Sequence, residues 1–76
     1  MTKAEKMFHE LGFELVGERK FNYIFENNDG ISIVFNDYGE GWKAYVGDSY
    51  EPGYFGASVA YAIFSMLSEL TWGHEE

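Results

Sequence analysis

The stretch KFNYIFENNDGISIVFND, residues 20–37, constrains the fold more than any other part of the chain. Phe21, Tyr23 and Phe25 alternate with Asn22, Ile24 and Glu26, and Ile31, Ile33 and Phe35 repeat the alternation after a turn. Side chains two apart on a strand share a face, so each segment predicts a strand with one buried side. The register follows from the turn. A three-residue loop Asn28-Asp29-Gly30, with Gly30 in the left-handed region, sets Phe25 opposite Ile33 and Tyr23 opposite Phe35. A two-residue loop sets Phe25 opposite Ser32 and mixes the faces, which a half-buried sheet does not tolerate.

Helices are expected on either side of this hairpin. In TKAEKMFHELGF, Thr2 and Glu5 have capping-box spacing, each satisfying the other's free backbone N–H. Ala4, Met7, Phe8 and Leu11 then fall on one apolar stripe, and Gly12 ends the helix. After the turn NDYGEG, GWKAYVGD reads as a strand with Trp42, Ala44 and Val46 facing the core. A last helix covers about Ala57–Trp72, with Val59, Ala60, Ala62, Ile63, Phe64, Met66, Leu67 and Leu70 on its broad apolar side. Ser65, Ser68, Glu69, Tyr61 and Trp72 fall on the other side. The expected fold is α+β: one domain over residues 1–76, a two-layer α-β-β-β-α arrangement with a three-stranded antiparallel meander and both helices on one face. That layout leaves Ile24, Val34 and Tyr45 on an open sheet face, flanked by Asn22, Glu26, Asn36 and Lys43.

A chain of 76 residues buries only about 60% of its unfolded surface. With no cysteine, the stability must come from packing, and a 46% hydrophobic, 20% aromatic composition supplies the material. No apolar run is long enough to cross a bilayer, and no charged-then-apolar leader opens the chain, so a cytoplasmic protein is expected. Thirteen acids against five bases leave a net charge of −8, which repels nucleic-acid backbone and anionic lipid. The expected partner is therefore a basic protein, with no direct nucleic acid and no membrane.

Catalytic motifs are lacking. Thiol chemistry is excluded, and His9 and His74 do not converge with other metal ligands in sequence. ENNDG fails as a calcium loop: with Gly30 at the sixth position, Phe25 and Asn36 occupy the first and twelfth, where acids are required. The GEG at Gly39–Gly41 opens no helix, and GYFG has no cation nearby to help hold a phosphate. No enzyme, cofactor or metal is expected.

A contact surface is expected instead. Within DSYEPGYFGAS, the Asp48–Gly56 loop is expected to emerge at the same end of the sheet as the Asn27–Asp29 turn. Glu26, Asp29, Asp48 and Glu51 are thereby expected to gather with Tyr50 and Tyr54, and carboxylates among tyrosine faces suit Lys and Arg. The competing reading has Phe55 and one of the tyrosines closing the edge of the core. Tyr61 and Trp72 form a second candidate patch with Ser65 and Ser68, unless Trp72 folds onto the sheet edge or the first helix.

TKAEKMFHELGF, the aromatic meander and the closing LSELTWG together resemble small accessory proteins of phages and mobile elements in Gram-positive bacteria. Some such proteins resemble anti-defence proteins, including acidic anti-CRISPR inhibitors that imitate DNA. The resemblance implies an acidic protein–protein interaction module that inhibits a basic, nucleic-acid-handling protein. The competing class is a structural or homo-oligomeric accessory protein, self-associating through the open face or the outer helix stripe, with its charge serving solubility.

Overall fold

The computed structural model describes residues 2–47 and 56–73. Along the chain run α1 (Lys3–Glu10), β1 (Phe13–Arg19), β2 (Asn22–Asn27), β3 (Ser32–Asp37), β4 (Trp42–Val46) and α2 (Gly56–Trp72). The strands form one antiparallel sheet in the order β1-β2-β3-β4, a four-stranded meander. The α+β class is as expected, but the three-stranded layout is not. FELVGER forms the additional strand β1 on the sheet edge.

The reason β1 escapes a period-2 reading is a bulge. Leu15 pairs with Phe25 and Gly17 with Ile24, so the register slips between them and Val16 is the extra residue. The alternation of faces therefore breaks in mid-strand. Gly17 lies close to its neighbour: a Cβ there would stand 3.2 Å from Ile24 Cδ1 on the open face of the sheet, so the Ile24 side chain would have to give by a few tenths of an ångström.

The central hairpin has the expected register, with Phe25 opposite Ile33 and Tyr23 opposite Phe35. Gly30 is left-handed at φ 81°, and its N–H donates to the Asn27 carbonyl at 3.1 Å. The Asn27 side chain closes the turn, Oδ1 accepting from the N–H groups of Asp29 and Ile31, each at 3.0 Å. Phe21, expected on the inner face of the hairpin, falls in the β1–β2 turn and is exposed.

Both helices pack on the same face of the sheet. Ala4 and Phe8 of α1, with Val59, Ala62 and Met66 of α2, join Phe13, Phe25, Ile31, Ile33 and Phe35 in one core. Trp42, Ala44 and Val46 pack against its margin, as the spacing in β4 predicts. Phe8 stands at the centre. Its ring stacks on Phe25 at 4.5 Å and meets Phe13 and Phe35 edge-on at 5.9 Å.

The capping box of α1 forms as its spacing predicts. Thr2 Oγ1 accepts from the Glu5 N–H, and Glu5 Oε1 accepts from the Thr2 N–H, both at 3.2 Å. Thr2→Ala is expected to lower stability by about 1 kcal/mol, read from the urea midpoint at unchanged slope. A loss below about 0.3 kcal/mol would mean that the cap adds little beyond what solvent supplies to those donors.

Candidate functional site

Three surfaces carry the chemistry. The first is the pole where the acidic and tyrosine residues were expected to meet. Glu26 is exposed at the end of β2, and Asp29 is exposed in the β2–β3 turn. The Gly47 N–H donates to the Ser32 carbonyl at 2.6 Å, so the chain leaves β4 beside that turn, at the expected pole. Asp48, Tyr50, Glu51 and Tyr54 lie outside the described residues, as do Phe55 and His74.

At this pole, β1 brings a residue that the sequence reading missed. Glu14 is paired directly with Glu26 across the strands. Opposed like charges destabilise a sheet by a few tenths of a kcal/mol or more, and neither carboxylate makes an ion pair among the described residues. A hollow of about 300 Å³ opens beside them, lined by His9, Gly12, Glu14, Val16, Glu26, Asn27 and Asn28. The signal that would have revealed Glu14 is the edge strand itself, hidden by the bulge.

The second surface is the outer face of α2. Tyr61 is 61% exposed, Phe64 69% and Trp72 78%, so three aromatic rings meet solvent on one helix. Trp72 does not fold onto the sheet edge or onto α1. Phe64 and Ala60, expected in the core, are both exposed. The buried stripe is the narrower Val59, Ala62, Met66, with Ile63, Leu67 and Leu70 partly covered. On the helical wheel Phe64 lies about 60° from Tyr61 and about 40° from Ser68, outside the stripe that Tyr61, Ser68 and Trp72 define and along one edge of it. Rings of this size each hold roughly 150–250 Å², so the exposed portions amount to a few hundred Å², about the size of the largest apolar patch on a typical monomer, which is often functional.

Charge sets this face apart. From Gly56 to Trp72 the single side chain of Asp, Glu, Lys or Arg type is Glu69, and it turns away from the stripe. Its Oε2 accepts the Ala4 N–H at the start of α1, at 2.9 Å. Glu69 was expected among the solvent-side residues, and instead it is half-buried between the helices. Beside Tyr61 a shallow groove of about 170 Å³ runs between α1 and α2, lined by Met7, Glu10, Leu11 and Ser58. Here a carboxylate borders an apolar groove and a tyrosine face.

The third surface is the open face of the sheet. Gly17, Ile24, Val34 and Tyr45 stand in register across all four strands, one apolar row. Glu14, Glu26 and Ser32 form the row toward the acidic pole, while Arg19, Asn22, Asn36 and Lys43 form the row on the other side. Lys43 pairs with Glu40 at 3.4 Å, at an exposed site where such a pair adds little.

Among the described residues no group of three or more His, Asp or Glu is placed to hold a metal ion, and no helix is long and apolar enough to cross a membrane. The chain matches no protein-family model, and no curated protein or solved structure shows significant similarity to it.

Proposed function

We propose that the protein is an acidic interaction module that binds and inhibits a basic, nucleic-acid-handling protein, in the manner of anti-CRISPR inhibitors. The observation that carries this reading is the outer face of α2. Tyr61, Phe64 and Trp72 are held exposed on a rigid helix that presents no charge of its own, in a chain of net charge −8. Tyrosine and tryptophan are the residue types that dominate binding energy at interfaces, and a charge-free centre within a polar rim is the arrangement such interfaces favour.

The roles divide accordingly. The rings bury area against the partner, with the Met7–Leu11 groove taking an apolar side chain and Glu10 meeting a Lys or Arg at its rim. The net charge steers the approach of a cationic surface and hastens association at low salt. Glu26 and Asp29 extend the same chemistry at the sheet pole, and Asp48, Tyr50, Glu51 and Tyr54 supply the same residue types in the chain that follows β4. Occupying a basic groove in this way excludes the nucleic acid that would otherwise lie there.

The test is capture from host extract on immobilised protein, followed by elution with rising salt. The expected result is a basic nucleic-acid-binding protein, released as salt rises and inhibited by the purified chain. Phe64→Glu with Trp72→Ala is expected to weaken that complex by about 100-fold or more, the size of a lost hot spot, with no fall in melting temperature. Asp48→Lys with Glu51→Lys is expected to slow its association. Retention that ignores both double variants and the salt would sink the reading.

A further inference from the structure

We propose that the open face of the sheet is a self-association surface, on which a second copy of this chain seats about a twofold axis lying along the Gly17–Ile24–Val34–Tyr45 row. This face is separate from the α2 stripe, so a dimer would present two such stripes.

The charge pattern selects both the occupant and the axis. Across the apolar row, one side carries Glu14 and Glu26 and the other Arg19 and Lys43, all exposed. Successive rows on one face are about 6.8 Å apart, two residues along a strand. Turning one copy over about the apolar row lays its acidic row on the basic row of the other. Glu14 of each copy then faces Arg19 of its partner, twice by symmetry, and Ile24 and Val34 stack on their own counterparts. A twofold axis along the strands, passing between β2 and β3, instead lays each row on itself and brings Arg19 onto Lys43, which is repulsive. Face-to-face sheets pack with their strands within about 30° of alignment, which this axis allows.

Local features fit the same occupant. Glu14 and Glu26 oppose each other without a cation among the described residues, and Arg19 has no ion-pair partner there. The 300 Å³ hollow beside the two carboxylates, lined also by His9, Asn27 and Asn28, is placed to receive the guanidinium of the facing Arg19. Gly17 keeps the row low over Ile24, and the bulge turns Val16 into the hollow. A foreign cationic surface would find Arg19 in its way, whereas a second copy sets Glu14 against that Arg19.

Sedimentation equilibrium at physiological salt tests this directly. The face is small, so the expected behaviour is a weak dimer forming between roughly 10 µM and 1 mM, as for interfaces at the low end of the size range. Arg19→Glu and, separately, Glu14→Arg are each expected to weaken it at least tenfold, because each sets like charges face to face. Both positions are exposed, and thermal melts of the two variants establish that they fold. Mixed in equal amounts, the two variants are expected to form a heterodimer at least as tight as the wild-type dimer, since every pair is again complementary. A wild-type chain that stays monomeric at 1 mM overturns the proposal, as does a mixture that fails to associate. So does a dimer that ignores both swaps but dissociates on Phe64→Glu, which would place self-association on α2.

Discussion

Phe8→Ala is expected to leave the chain at or near its unfolding threshold at room temperature. Phe8 is fully buried, and its ring touches Phe13, Phe25 and Phe35, joining α1 to three of the four strands. Truncating a buried phenylalanine costs about 3–5 kcal/mol through lost transfer free energy and the cavity left behind. A domain of this length holds only about 4–11 kcal/mol in all, at roughly 0.05–0.15 per residue. The cavity has little prospect of collapsing. Phe25 and Phe35 are locked edge-on to each other at 6.0 Å, and their strands are paired on both sides. The melting temperature is therefore expected to fall by about 15 °C or more, taking 4–8 °C per kcal/mol for domains of this size.

Phe8→Leu, which keeps much of the volume, is expected to lose less than half as much. Phe64→Ala, on the outer face of α2, is expected to change stability by less than about 0.5 kcal/mol, the usual range at exposed positions. The contrast between two phenylalanines, one in each helix, is the measurement. Equal losses at the two sites would mean that α2 is rotated from the orientation seen here.

That rotation is also where sequence reasoning reached its limit. The hairpin was legible because two independent constraints agree: the faces must match across the strands, and Gly30 must take the left-handed turn position. The capping box of Thr2 and Glu5 was legible because it is local. The orientation of α2 was not. A helix with one charged side chain in seventeen residues is apolar nearly all round, and its pattern sets no sharp boundary between core and surface. Phe64 and Ala60 therefore looked interior although the sheet has room only for Val59, Ala62 and Met66 at the centre. β1 was hidden for a different reason, since the bulge at Val16 interrupts the alternation by which strands are found. With it went Glu14, and so the opposed carboxylates at the acidic pole. Of the expected contact residues, Glu26, Asp29, Tyr61 and Trp72 are all exposed.

Glu69 shows what no helical wheel contains, and its removal is the second large effect expected. The wheel puts Glu69 beside Ser65 and Ser68, on the side away from the core, but α1 lies there. Its carboxylate reaches a residue 65 positions away and accepts the Ala4 N–H at 2.9 Å. Ala4 is completely buried, and its N–H is one of the four that a helix start leaves without an internal partner. Water has poor access, so the carboxylate does for Ala4 what the threonine cap does for Glu5. It also places negative charge at the positive end of the α1 dipole. Hydrogen bonds to a charged group contribute about 1.5–3 kcal/mol, and Glu69→Ala is expected to lose an amount in that range. Glu69→Gln keeps an acceptor of the same reach and gives up the charge, so it should recover about half. The same variants separate a tie between helices from a merely local effect. Amide exchange at Ala4 is expected to accelerate in Glu69→Ala by roughly tenfold, which corresponds to 1.4 kcal/mol of local opening, while the amides of the β2–β3 hairpin change only as global stability does. Uniform acceleration across the chain would instead assign Glu69 to the core as a whole.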